Sequence, residues 1–444
     1  MGSGKLKQKR RKNRRKKALL QIGSVLGIVL VFMVAIAGMA DSVNQERTNS
    51  SQQVTSQGGS SDQGELAGSE SSQIQSSESE SSELQNSEIE SSEVITKPSE
   101  EESDTIQVVM VGDMLMHSKI IDSGKQEDGS YNFEHLFKNV KDFITEADIA
   151  IVNQETIMGG SKYGYTGYPS FNTPYALADA LVDTGFNVIL HATNHTLDKG
   201  KTGVLNCMDY WDTNYPNIKY IGMNRTKAAQ DEIYVYEQDG FKIAILNYTY
   251  GTNGIKIPSD MPYLVNLMDE DKIRADIRKA EEIADFTILC PHWGTEYKLQ
   301  ATNSQKEWAQ IFLEEGVDLV IGTHPHVIEP IEWLTDDEGN KMLVYYSLGN
   351  FVNGTASKGS GVTNRMVGGI ADVTLGRKEN GEVEIVEYGA VPIVCHVGTG
   401  TEYTVYYMKD YTEELASKNL ILSQDSEFSK ELCESIFAQV WGVR

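Results

Sequence analysis

The chain has 444 residues, 40% of them hydrophobic, and 39 Lys and Arg against 64 Asp and Glu give a formal charge of −25. That apolar content suffices for a folded core and excludes wholesale disorder. So acidic a surface also excludes nucleic acid as a partner, because phosphate contacts need clustered Lys and Arg.

The charge is unevenly spread. Residues 1–40 hold ten basic and no acidic side chains, 41–104 hold 15 acidic and two basic, and 105–444 hold 27 basic and 49 acidic. The basic segment 1–17 abuts an uncharged run, Ala18–Ala40. As a helix that run would extend about 34 Å at ~1.5 Å per residue, enough for a ~30 Å hydrocarbon core. The sequence therefore predicts one transmembrane helix at 18–40, the N-terminus in the cytoplasm and everything after Asp41 outside. A secretory signal cleaved after Ala37 or Ala40 is the alternative. Its apolar core would normally be only ~7–15 residues, so an uncleaved anchor in the cell membrane is expected.

Residues 41–104 contain 19 Ser and 12 Glu. So little apolar surface cannot offset the entropy of ordering, and a disordered linker with a reach of about 45 Å is predicted. Cys207, Cys290, Cys395 and Cys433 all come after the expected anchor. Their spacing selects no pairing, and buried free thiols and disulfides both stay open.

From Thr105 short apolar runs alternate with helical patterns, the signature of βα units and a largely parallel sheet. The runs are Val108–Val111, Ile149–Val152, Val188–Leu190, Thr287–Leu289 and Leu319–Ile321, each continuous as a strand covered on both faces should be. Helices are predicted over Glu134–Glu146, Tyr175–Thr184, Thr202–Thr213, Glu270–Ala284 and Ser304–Glu315. Tyr234–Glu237 with Lys242–Asn247, Leu343–Ser347, Val367–Leu375 and Val383–Val394 read as more antiparallel strands, joined at Gln238-Asp239-Gly240 and Glu379-Asn380-Gly381 by hairpin turns. Asp410–Ser417 and Ser426–Gln439 read as C-terminal helices.

The polar residues at the carboxyl end of each core strand are the informative feature. The first strand leads into Gly112-Asp113-Met114-Leu115-Met116-His117, the second into Asn153-Gln154-Glu155, and the third into His191-Ala192-Thr193-Asn194-His195. The fourth ends Cys290-Pro291-His292-Trp293-Gly294-Thr295-Glu296 and the fifth Gly322-Thr323-His324-Pro325-His326. Carboxyl ends of strands form the ligand crevice in open α/β sheets, so these groups can converge. Any one of them has a plain explanation as a core histidine or a turn residue. Seven together, Asp113, His117, Glu155, Asn194, His292, His324 and His326, would leave buried carboxylates and imidazoles poorly compensated without a cation. A pair of divalent ions removes that difficulty.

GDMLMH, IVNQE, ATNHTLDKG, HWGTEY, GTHPHVIEP and YSLGNFV together resemble the CapA family of capsule synthesis proteins, which includes PgsA-type components of poly-γ-glutamate production. The order of ligands is similar to that of calcineurin-like dinuclear metallophosphoesterases. The resemblance covers roughly Ile106 to Ile393. It implies an α/β fold, a four-layer αββα sandwich of two mixed β-sheets over 105–397; beyond the resemblance, the two C-terminal helices read above make 398–444 a helical extension expected to pack on that domain. The resemblance also implies two divalent metal ions (Mn, Fe or Zn): Asp113 and His326 on one, Asn194, His292 and His324 on the other, and Glu155 bridging. His195 would be the catalytic proton donor, and Tyr346, Ser347, Gly349 and Asn350 would line the floor. His117, Asn153, Asp198, Trp293, Glu296 and Arg365 would contact substrate or support the ligands. Two departures stand out. The first His falls four residues after Asp113 where the phosphoesterases place it two after, and the bridging carboxylate is a Glu where they have an Asp.

Two doubly charged ions against Asp113 and Glu155 would leave about +2 in the crevice, while Lys199, Lys201 and Arg365 are candidates to recognise an anionic group. Local capture of one end of a surface polymer such as polyglutamate is expected, because screening over about 8 Å confines repulsion from the acidic surface. The leading expectation is a metal-dependent hydrolase acting on such a polymer outside the cell. The alternatives are a non-enzymatic scaffold among membrane synthase subunits and a general metal-dependent phosphodiesterase.

Overall fold

A computed structural model of the protein describes residues 104–442. The basic segment, the expected anchor at 18–40 and all but the last residue of the expected linker lie outside the described residues. Among the described residues, no helix is long and apolar enough to cross a membrane.

The strands in chain order are β1 (Thr105–Met114), β2 (Ile149–Asn153), β3 (Val188–Leu190), β4 (Lys219–Ile221), β5 (Tyr234–Gln238), β6 (Phe241–Thr249) and β7 (Phe286–His292). They continue with β8 (Leu319–Ile321), β9 (Ile328–Thr335), β10 (Lys341–Leu348), β11 (Asn350–Val352), β12 (Val367–Arg377), β13 (Val383–His396) and β14 (Thr404–Tyr407). One sheet runs β14-β13-β12-β1-β2-β3-β4, with β11 parallel to the end of β1, and the other runs β5-β6-β7-β8-β10-β9. Both are mixed: β1 to β4 pair in parallel and so do β6, β7, β8 and β10, with antiparallel strands at the margins.

All five continuous apolar runs fall inside strands, and their alternation explains the layering. In β7, Ile288 and Cys290 join the main apolar cluster while Leu289 joins a second one with Phe312, Ile273 and Ile277 of the helices Asn303–Glu315 and Glu270–Ile283. Leu343 and Tyr345 of β10 divide from Met342, Val344 and Tyr346 in the same way. The main cluster joins the two sheets, with Cys290 Sγ 3.8 Å from Met110 Sδ of β1. All four cysteines are free and buried, which resolves the open question in favour of thiols.

The pattern Gln238-Asp239-Gly240 does form a tight hairpin, with Asp239 and Gly240 both at positive φ. The antiparallel reading of the later segments holds for β5 with β6 and for β12 with β13, but two of these strands also have parallel partners. β6 lies parallel to β7 and β10 parallel to β8, so their carboxyl ends share the direction of the core strands. The strands β4, β9, β11 and β14 have no counterpart in the sequence reading; β4 and β11 are only three residues long and carry no alternation to read. The helix expected over Glu134–Glu146 is broken into a turn of 3-10 helix at Glu134–Leu136 and a short helix at Lys141–Thr145. After residue 397 the chain adds β14 as well as the helices Glu413–Lys418 and Lys430–Trp441.

Candidate metal centre

The ends of β1, β2 and β3 from one sheet and of β7 and β8 from the other converge. Asp113, Glu155, Asn194, His292, His324 and His326 are all buried. Three overlapping groups, Asp113/Glu155/His326, Glu155/His292/His324 and Glu296/His324/His326, each place their ligand atoms within 4.8 Å of one another.

Local backbone explains the placement. Gly112 lets the Gly349 turn cross β1, because a Cβ there would lie 1.9 Å from the Gly349 carbonyl. The Asp113 N–H donates to that carbonyl at 2.9 Å, and Gly349 itself has φ +68°. His324 (φ +101°) and His326 (φ +59°) adopt backbone that side-chain-bearing residues rarely take. Such strain costs about 1–3 kcal/mol per residue and persists only where surroundings enforce it. Here the His324 N–H donates to both Asp113 oxygens at 3.1 and 3.2 Å, and Asn350 Nδ2 donates to the His326 carbonyl at 3.1 Å.

The imidazoles are oriented from behind. His292 Nδ1 lies 3.1 Å from Thr323 Oγ1 and 3.3 Å from Asn153 Nδ2, while its Nε2 is 3.0 Å from Asn194 Oδ1 and 3.8 Å from Glu155 Oε1. His326 Nδ1 is held between Asp113 Oδ2 at 3.0 Å and Asn350 Oδ1 at 3.1 Å, with Nε2 3.7 Å from Glu155 Oε1. Asn153 Nδ2 also donates to Asp113 Oδ1 at 2.9 Å. Supports of this kind fix which nitrogen faces a metal.

The electrostatics of the cluster follow from burial and from the mutual approach of its charged groups. Glu155 is 1% exposed and neither carboxylate oxygen has a hydrogen-bond donor. Burial first, then Asp113, Glu296 and Asp198, push its carboxyl well above the usual range, against the pull of His326. Burial and then the neighbouring imidazoles His324, His326 and His195 hold His292 well below the ordinary histidine value, so it is neutral, the form that binds metal. Burial and then His326 and His195 do the same to His324, whose Nδ1 is also without a partner. Burial lowers His326, but Glu155 and Asp113 overcome it and raise it to about 9. Orphaned carboxylate oxygens beside the neutral imidazoles of His292 and His324 fit divalent cations: Asp113, Glu155 and, once it gives up its proton, His326 could hold one, and Glu155, Asn194, His292 and His324 another.

His195 Nδ1 sits 2.7 Å from Asp198 Oδ2, which also accepts the Phe171 N–H at 2.7 Å. Phe171 presents an edge to His195 at 4.7 Å and meets His117 at 5.4 Å. His117 belongs to none of the three groups. Burial, then the charges of His326, His195 and Arg365, lower it to about 4, so it stands beside the cluster as a neutral ring. Ser347 braces the turn, donating to the Val327 carbonyl at 2.8 Å and accepting from the Gly349 N–H at 3.1 Å.

Trp293 is a correction. One residue after His292, alternation sends its ring to the other face of the sheet, where it stacks on Phe312 and Tyr346 and donates to the Tyr346 carbonyl. The Tyr346 ring lies in the same apolar layer and does not line the floor. Lys199 donates to the Ser170 carbonyl at 3.0 Å and Lys201 pairs with Asp260, while Arg365 Nη1 donates to the hydroxyls of Thr355 and Ser357 at 3.1 and 2.8 Å and its guanidinium lies 3.5 Å from the Tyr297 ring centre. His191 is a core histidine: it accepts the Trp211 indole N–H at 3.0 Å, and burial lowers it to about 3.

Sequence reasoning missed Tyr250, whose ring is 4.6 Å from that of His324, and Asn253, whose Nδ2 is 3.4 Å from His195 Nδ1. Both come just after β6. The same strand-end criterion finds them once β6 is taken as parallel.

A family model described as "Bacterial capsule synthesis protein PGA_cap" matches residues 107–355, more than half of the chain. "Capsule biosynthesis protein CapA" of Bacillus anthracis is 24% identical over 260 residues, which are 56% of this chain and 60% of that protein. "PGA biosynthesis protein CapA" of Bacillus subtilis (strain 168) is 26% identical over 253 residues, 56% of this chain and 63% of that protein. The matched region thus spans about three-fifths of these relatives' length. Among solved structures, a putative 5'-nucleotidase from Staphylococcus aureus aligns with 65% of this chain and 54% of its own at 13% identity and a TM-score of 0.43. NAD nucleotidase from Haemophilus influenzae aligns with 76% and 66% at 12% identity and a TM-score of 0.41. Likenesses this distant carry no argument about chemistry.

Proposed function

Because this chain belongs to the family of bacterial capsule synthesis proteins whose model matches residues 107–355, we propose that it helps make or release a surface polymer at the outer face of a membrane, through a dinuclear-metal hydrolase-type centre. The basic residues before an apolar run at 18–40 support the single-pass anchor, with an inside N-terminus and an external domain. The names of the two relatives support capsule or poly-γ-glutamate as the polymer. The two mixed sheets, with helices against the second, suit the four-layer sandwich of dinuclear metallophosphoesterases.

The single observation that carries the chemistry is Glu155: a buried carboxylate with two unpartnered oxygens among Asp113, His292, His324 and His326. When bound, two divalent ions would activate water near neutral pH and stabilise negative charge developing on oxygen. His195 supplies the proton. Asp198 holds Nδ1, leaving Nε2 to carry a proton to a departing atom, and Phe171 keeps the ring edge-on. Arg365 offers its guanidinium to a carboxylate or phosphate at the crevice.

The test is metal analysis and turnover of the full-length protein on γ-glutamyl oligomers and simple aryl phosphodiesters. Two ions per chain are expected, with turnover that falls by about 10²–10⁴ in His195→Ala while both ions remain. Activity on aryl phosphodiesters alone would favour a general phosphodiesterase. Unchanged polymer output from an Asp113→Ala, His326→Ala double variant would make the protein a scaffold.

A further inference from the structure

The two halves of the centre are unequal. The half around His292 and His324 has four protein donors, Glu155, Asn194, His292 and His324, whereas the half around Asp113 has three, Asp113, Glu155 and His326. His117, four residues past Asp113, meets Phe171 and does not make up the difference.

Glu296 is placed to do so. Its carboxylate lies within 4.8 Å of ligand atoms of both His324 and His326, one imidazole from each half. Glu155 touches the same two halves but is buried, whereas Glu296 is not, so the two carboxylates lie at the floor and the mouth. The position is built in. Gly294 turns the chain at φ +94°, and the Tyr297 N–H donates to the Pro325 carbonyl between the two histidines at 2.7 Å. The His324 Nδ1 is buried without a hydrogen-bond partner, an independent observation that suits a ligand role for that imidazole.

We infer that Glu296 is a further metal ligand, a third carboxylate that closes the three-donor half from the crevice mouth and reaches the ion held by His324. This rests on the dinuclear reading of the site. Two doubly charged ions against three carboxylates would leave about +1, so Glu296 trades attraction for an anionic substrate against retention of the second ion.

The experiment is a Mn²⁺ titration of chelator-stripped, full-length protein and of Glu296→Gln, with metal stoichiometry and the electron paramagnetic resonance signal of a spin-coupled pair as readouts. The expected result is two ions in the parent protein, and in Glu296→Gln one retained ion with the second bound at least about tenfold more weakly and the coupled signal reduced. Metal-free unfolding temperatures of the two should coincide, because Glu296 is not buried. Wild-type affinity and coupling in Glu296→Gln would overturn the assignment. Failure of the parent protein to bind a second ion would overturn the dinuclear reading and this inference together.

Discussion

Two buried glutamates mark two regions of the molecule with opposite meanings. Glu155 and Glu329 are at most 1% exposed and each has a buried carboxylate oxygen without a donor. Burial raises both, Glu329 to about 8. Around Glu155 stand Asp113 and three imidazoles; Glu329 has the amide of Gln305 on one oxygen, and Trp441 donates to its backbone carbonyl. Desolvation alone therefore does not identify a metal site. The ring of pre-oriented imidazoles, of which His292 and His324 are neutral, sets Glu155 apart, because only there would a cation satisfy every member at once.

Exchanging each glutamate for glutamine should separate the regions. Glu155→Gln is expected to lower the affinity for both divalent ions by more than about a hundredfold, exceeding what loss of a supporting group costs, as read by metal titration. The next largest effect should come from the turn that sets the Asp113 end of the crevice. In Gly112→Ala a Cβ would collide with the Gly349 carbonyl, so a loss above about 3 kcal/mol by denaturant unfolding is expected, together with lost ion binding.

Glu329→Gln should leave ion binding unchanged and act on stability. A carboxyl raised to about 8 in the fold contributes stability that is present below its ordinary value and lost as pH rises toward 8. The parent protein should therefore weaken from about pH 5 to 8, and Glu329→Gln should be more stable by about 3 kcal/mol at pH 8, measured by urea unfolding across pH. The smallest effect concerns His326. Its proton, held up to about pH 9 in the metal-free state, must leave before that imidazole can bind. Ion affinity should thus rise about tenfold per pH unit between 6 and 8, and a flat profile in calorimetric titration would separate His326 from the ligand set.

How a residue is positioned decides whether its place is legible in the sequence. Asp113, Glu155, Asn194, His292, His324 and His326 sit at the ends of continuous apolar runs, where a buried strand fixes direction, and the structure gathers all six. Trp293 departs from expectation because alternation along β7, not adjacency to His292, decides which layer a ring enters. Tyr250 and Asn253 stay hidden because the parallel pairing of β6 with β7 depends on partners more than forty residues away. Lys199 and Lys201 look free in a string of letters and are engaged by Ser170 and Asp260. Neighbours in space, which composition does not encode, make each of those decisions.

The most direct measurement of the central claim is anomalous diffraction from Mn²⁺-loaded crystals of the protein. The account predicts two peaks, one among Asp113, Glu155 and His326 and one among Glu155, Asn194, His292 and His324. Saturating Mn²⁺ that leaves Glu155 without a neighbouring peak would contradict it.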